Sequence, residues 1–283
     1  MLIIRDQMLP AAAQQQLNVF QASVDALADY ADRVEAASNA WKTRTSTVKG
    51  EAAFKAVRAT LAQMCIGPIR CAYCEDSLAD EVEHIKPKSF FPDLTFVWAN
   101  YAFACGPCNG PKGSRYAVVS RGTLREVVRT RGLPPAPAPA GQCALIDPRA
   151  EDPTEFLELD LGGVGVDGTQ LDPTFDFLPK EDLSATATAR AEYTIKTLGL
   201  NREVLRKARS NAFGGFRARL REYAEKMEAG ADVAELARLR DDLLGTPHLT
   251  VLHEMRVQRL WLPEIDDLLN RAPEASMWPL VIP

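Results

Sequence analysis

Phe20, Val24, Leu27, Val34 and Trp41, with Ala31 and Ala37 between them, recur at the spacing of one helix face, and Phe54, Val57, Leu61 and Met64 repeat the pattern. The first 65 residues therefore read as mainly two helices. From Pro68 to about Thr130 the pattern shortens: strands are expected near Val82–Ile85 and Phe96–Ala99, with a helix after Cys108. "LPPAPAPAG", 133–141, is hostile to helix and ladder alike and reads as an extended spacer, the best place for a domain boundary. "FLELDLGGVGVDG", 156–168, alternates apolar and polar positions around Gly-Gly and predicts a β-hairpin. Leu205, Ala208, Ala212, Phe216, Leu220, Tyr223 and Met227 then mark one long amphipathic helix, weakened at Gly214-Gly215, and a shorter helix is expected over 248–260. No internal repeat is visible. The fold class that follows is α+β, mostly helical: a helical segment (1–66), a cysteine-bearing module (67–132), a proline-rich linker (133–141) and a mainly helical region carrying a small acidic hairpin (142–283).

Composition narrows this only a little. With 283 residues, 46% hydrophobic and 25% charged, the chain can bury one sizeable core or two smaller ones. No run approaches the roughly 18–20 apolar residues of a membrane span, and the opening Met-Leu-Ile-Ile-Arg is too short for a secretory core, so a soluble, cytoplasmic protein is expected. The net charge of −5 argues against a globally basic nucleic-acid binder, but it averages two opposed segments. Glu83 to Arg131 carries eight Lys/Arg against three acids and can face phosphates; Gln142 to Tyr193 carries twelve Asp/Glu against three bases and repels a polyanion. The acidic segment is placed to compete with nucleic acid for the basic one. Each charge run also reads simply as a solvated face.

Four of the six cysteines form two Cys-x-x-Cys pairs, Cys71/Cys74 and Cys105/Cys108, leaving Cys65 and Cys143 over. Thirty residues separate the pairs, a spacing suited to two knuckles enclosing an inserted element and sharing one structural Zn2+. Redox-active pairs or buried thiols are the alternatives; the absence of a thioredoxin-like context favours zinc.

Between the pairs lies "VEHIKPKS", 82–89, in a chain with only three histidines. Hydrolysing a phosphodiester needs a base for the attacking water and a cation for the leaving oxygen. His84, with an ordinary pKa near 6.5, suits the base. Glu83 and Asn109 offer hard oxygen ligands to one Mg2+-like ion. Adjacent strand residues point to opposite faces, so a regular strand should not bring Glu83 and His84 to one phosphate, and a local backbone distortion is expected.

The whole stretch, "CAYCEDSLADEVEHIKPKSFFPDLTFVWANYAFACGPCNGPKGSR" (71–115), resembles the HNH endonuclease family. An acid-His dipeptide (Glu83-His84), a proline two residues after Ile85, an Asn near the end of a second strand (Asn100), and Cys-x-x-Cys-Asn-x-x-Lys-Gly (Cys105 to Gly113) stand in the family's order. The resemblance implies a zinc-stapled ββα-metal fold, with Asn100 tying down the loop between the strands and orienting the base. It also implies Lys112 and Gly113 where a helix N-terminus meets phosphate, with Lys86 and Arg115 as further phosphate contacts. Two departures stand out: Glu83 replaces the more usual Asp, and Pro107 and Pro111 flank Asn109, which puts the expected helix start near Gly110. Trp98, Phe90, Phe91, Phe96, Tyr101 and Phe103 read as core in preference to base-stacking platforms, and His248 and His253 receive no chemistry.

Outside this module, "ALIDPRAEDPTEFLELDLGGVGVDG", "RAEYTIKTLGLNREVLRKAR" and "PHLTVLHEMRVQRLWLPEIDDLLNRAPEA" look like the body of HNH proteins encoded with bacterial anti-phage systems, the retron-associated and Septu-type nuclease subunits. That likeness implies an ATPase partner, with the acidic segment and the helical C-terminal region as candidates for docking it or for restraining the site. A stand-alone restriction-like or repair-type DNase would cut without a partner. A non-catalytic zinc module that only binds nucleic acid would leave Glu83, His84 and Asn109 without a task.

Overall fold

The computed structural model describes residues 1–129 and 133–280. Thr130, Arg131 and Gly132, where the expected module end and one of the counted basic residues fall, lie outside the described residues, as do 281–283. The N-terminal segment holds three helices instead of two: α1 (Ala11–Asp25), α2 (Tyr30–Thr43) and α3 (Val48–Gln63). The apolar run that reads as one helix is cut at Asp29, whose Oδ1 accepts the N–H groups of Ala31 at 2.7 Å and Asp32 at 3.2 Å. A short acceptor placed ahead of free helical donors starts a new helix. Thr47 does the same for α3 through the N–H of Gly50.

Strand β1 (Glu81–His84) forms where expected and pairs antiparallel with β2 (Tyr101–Ala104). The strand expected over Phe96–Ala99 is absent. There the Phe96 N–H is taken by Gln21 Oε1 of α1 at 2.9 Å, and Trp98–Asn100 turns once as a 3-10 helix, so the ladder begins only at Tyr101. β2 is buried on both faces. Tyr101 and Phe103 enter a core with Leu17, Val24, Phe54 and Leu61 of the N-terminal helices, while Ala102 and Ala104 enter a larger core with Cys71, Leu157, Phe216 and Leu252. The period-two alternation of a strand thus places β2 between the two cores.

Helix α4 (Gly106–Lys112) follows at once, four residues earlier than the prolines lead one to expect. Pro107 sits in the first turn, where its missing N–H has no partner to lose. Pro111 lies inside the helix and deprives the Pro107 carbonyl of its donor. Arg202 supplies the replacement: its Nη1 donates to that carbonyl, and its Nη2 lies 3.6 Å from Cys108 Sγ. Lys112 and Gly113 therefore close the helix, with Gly113 at φ 46°; they do not open it.

Beyond α4, β3 (Tyr116–Ser120) pairs with β4 (Thr123–Val127) on one side and β5 (Gln142–Cys143) on the other, so the proline-rich spacer runs between two strands of one sheet. The hairpin expected over 156–168 forms with its turn further along, at 165–169. β6 (Leu157–Leu159) pairs with β9 (Phe177–Pro179), and β7 (Gly163–Val164) with β8 (Gln170–Leu171) inside it. Asp160 bends the chain between the two ladders, accepting from Gly162 N at 2.9 Å and Thr174 N at 3.1 Å. Helices α5 (Ala185–Leu198), α6 (Glu203–Glu228), α7 (Val233–Leu244), α8 (Leu249–Val257) and α9 (Pro263–Arg271) complete the fold, and α6 passes through Gly214-Gly215 unbroken. The fold is α+β. Among the described residues no helix is long and apolar enough to cross a membrane.

Arg149 clasps the sequence regions together. Its side chain is 4% exposed; Nη1 donates to the carbonyls of Trp98 at 2.6 Å and Tyr101 at 2.7 Å, Nη2 pairs with Asp6, and the guanidinium lies 4.7 Å above the Trp98 ring.

Candidate active site and metal centre

The four paired cysteines converge. Their Sγ atoms all lie within 4.8 Å of one another and all four side chains are buried. Cys74 Sγ and Cys105 Sγ are 3.8 Å apart. A tetrahedron of thiolates around Zn2+, with bonds of about 2.3 Å, has edges of about 3.8 Å. Hydrogen bonds from neighbouring thiols pull Cys74 far below the usual thiol range, while the same contacts push Cys108 far above it. Four sulfurs so close cannot all ionise without a cation among them. The site can hold one metal ion, and an all-thiolate donor set suits zinc. Cys65 and Cys143 lie outside the cluster.

A second site lies along β1. Glu83 stands opposite Ala102 and His84 opposite Tyr101, so the two side chains leave opposite faces of the two-stranded ladder. The register runs without a bulge through His84, and the expected distortion is not what brings them together. β2 is the only strand paired with β1 among the described residues, which leaves the other edge of β1 open. A cleft of about 570 Å³ follows this edge, lined by Glu83 and His84, by Trp41 of α2, by Lys88 and by Asn109 of α4, with no residue of β2. At an open edge, side chains from both faces reach one cavity.

His84 is 6% exposed and its Nε2 lies 3.0 Å from the carbonyl oxygen of Thr95. A carbonyl can only accept, so Nε2 carries the proton and Nδ1 keeps its lone pair. Tyr101 donates its hydroxyl to the same carbonyl at 2.7 Å. The Trp41 ring packs edge-on with centroids 4.2 Å apart. Burial first, then the charge of Lys88, lowers the imidazole pKa to about 3, so the ring is neutral at physiological pH and a weaker base than the ordinary imidazole expected from the sequence.

Glu83 is equally enclosed, at 4% exposure, and burial pushes its carboxyl upward against the pull of Lys112. Lys112, expected at the phosphate, is instead 1% exposed; its Nζ pairs with Glu83 Oε1 and donates to the His84 carbonyl at 2.8 Å. Asn109 gives its Nδ2 to Glu81 Oε2 at 2.6 Å, which turns its amide so that Oδ1 is unengaged among the described residues. The Glu83 carboxylate, held by Lys112, and the free amide oxygen of Asn109 line one cleft and are both hard oxygen donors. Asn100 accepts from Lys86 N at 2.8 Å and donates to Lys86 O at 2.9 Å and Leu94 O at 3.0 Å, pinning both ends of the loop between the strands.

Lys86 and Arg115 do not line this cleft, nor does any residue of the acidic 142–193 segment. Lys86 leans over Phe91 at 5.8 Å, and Arg115 is exposed. Of the aromatics, Phe90, Phe96, Trp98, Tyr101 and Phe103 are buried. His248 pairs with Asp76 at 3.3 Å, away from the cleft. Sequence reading passed over Trp41, Lys88, Glu81 and Thr95. Lys88 was visible as a cation next to the Glu-His pair, but Thr95 acts through its backbone and carries no mark in its side chain.

No protein-family model matches the chain, and no solved structure does. A local stretch of 50 residues, 16% of this chain, is 42% identical to the Septu protein PtuB of Bacillus thuringiensis. The match spans about one fifth of that relative, 20% of its length.

Proposed function

We propose that the chain is a metal-dependent endonuclease of the HNH type that hydrolyses phosphodiester bonds of nucleic acid, DNA foremost. The observation that carries this reading is a neutral imidazole, its Nε2 turned to the Thr95 carbonyl, sharing one cleft with a carboxylate and an amide oxygen. His84 Nδ1 takes the proton of the attacking water. Glu83 and Asn109 hold a Mg2+-type ion, which when bound neutralises charge on the leaving oxygen. Lys112 keeps Glu83 ionised in its dry setting, and Asn100 fixes the loop that carries the Thr95 carbonyl. The four cysteines hold Zn2+ as a staple apart from the chemistry. The local likeness to a Septu protein supports a place in anti-phage defence, and the resemblance read in the sequence of the body is what suggests an ATPase as the partner protein.

Purified chain is incubated with supercoiled plasmid, with and without Mg2+, alone and with the product of the neighbouring gene. Nicked or linear product that needs the cation and disappears in a folded His84→Ala variant is expected. Cutting that survives His84→Ala would falsify the assignment. A chain inert in every arm counts against the nuclease reading, whereas vigorous cutting that ignores the partner leaves the stand-alone DNase.

A further inference from the structure

Lys112 is spent on Glu83, and Lys86 and Arg115 face elsewhere, so the anion-binding side of the cleft falls to other residues. Lys88 lines the cleft, half-buried, and makes no hydrogen bond or ion pair among the described residues. Its Nζ is 5.8 Å from the centroid of the Trp41 ring. Arg44 lies over the same ring, with Cζ at 4.2 Å. Its Nη1 donates to the Trp41 carbonyl at 2.6 Å, while its Nε is buried without a partner. Trp41 therefore touches the imidazole of His84 and both cations.

The charges agree with the contacts. Burial, then the proximity of Arg44, Lys112 and Lys42, holds the Lys88 amine below the usual lysine range, and Glu83 opposes the shift. Lys112 already neutralises Glu83, Lys88 adds a further cation beside it, and Arg44 and Lys42 lie near Lys88. A concave site with such a surplus attracts an anion.

We propose that Lys88, with Arg44 behind Trp41, takes the phosphate of the phosphodiester substrate, which makes helix α2 part of the substrate site. The inference rests on the nuclease reading and refines it: the N-terminal helical segment supplies one wall, Trp41 positions both base and cations, and recognition is of backbone phosphate, without base readout. It also accounts for a lysine kept half out of water with no hydrogen-bond or ionic partner among the described residues.

The test is binding of a short labelled DNA duplex by the full chain without added divalent ion, from about 50 to about 200 mM salt. Wild type, Lys88→Ala, Lys88→Arg and Arg44→Ala are compared, with thermal melts to show that each is folded. Lys88→Ala is expected to weaken binding about ten- to a hundredfold and to reduce the slope of log affinity against log salt by about 0.9, the share of one phosphate contact. Lys88→Arg restores the slope, a rescue that a merely structural role does not predict. In cleavage assays Lys88→Ala raises KM more than it lowers kcat. A folded Lys88→Ala chain with unchanged affinity and slope overturns the proposal even if the wild type cuts DNA. Conversely, a Lys88-dependent affinity in a chain that never cuts supports the phosphate site and removes the nuclease reading.

Discussion

Glu83 and Lys112 show how one residue decides what another can do. Both are almost fully enclosed, and the ammonium opposes the upward push that burial gives the carboxyl. Removing one partner of such a pair typically costs about 3–5 kcal/mol, because the other charge is left buried and alone. Lys112→Met should therefore destabilise the protein by about that amount in chemical denaturation, and adding Glu83→Gln should recover most of it while leaving the enzyme dead. Recovery of activity along with stability would show that Glu83 binds no cation. His84→Ala has a different expected signature. It removes the proposed base together with a packed, hydrogen-bonded ring, so cleavage should drop by about 10²–10⁴ while the protein still melts cooperatively at a lowered temperature.

Helix α4 is a short element assembled from unfavourable parts. It contains two prolines in seven residues, holds Cys108 and presents Asn109 to the cleft, and its open Pro107 carbonyl is met from outside by Arg202. Arg202→Ala should cost about 1–2 kcal/mol and, by removing the contact to Cys108 Sγ, speed the loss of zinc to a chromogenic chelator. Cys105→Ser should lower the metal content below the one zinc per chain expected from elemental analysis and expose this region to protease. Much of this element could be read from the chain, because metal ligands come in close pairs whose spacing is itself the signal. The start of α4 was misplaced because Pro111 argues for a boundary that Arg202, distant in sequence, overrides. The same holds for the lost strand at Phe96, whose N–H is claimed by Gln21. Trp41 looked like one more apolar position of a helix, and only the packing of α2 beside β1 reveals that it touches His84.

At the scale of the molecule, the regions divided at 66, 132 and 141 share their packing. The larger core gathers Leu2, Cys71, Ile146, Phe216 and Leu269, and β2 separates it from the core of the N-terminal helices. Intrinsic fluorescence and far-ultraviolet circular dichroism should accordingly report one coincident unfolding transition. Arg149→Ala should lower stability by about 2–4 kcal/mol, since two carbonyls lose their donor in an enclosed site. The clasp also has a kinetic side. Asn100 lies between the two carbonyls that Arg149 holds, and the Asn100 side chain in turn pins Lys86 and Leu94. Amide protons around Lys86 and Asn100 should therefore trade with deuterium only as slowly as the guanidinium lets go of Trp98 and Tyr101, so that the loop beside His84 keeps the clock of a residue encoded beyond the proline-rich spacer.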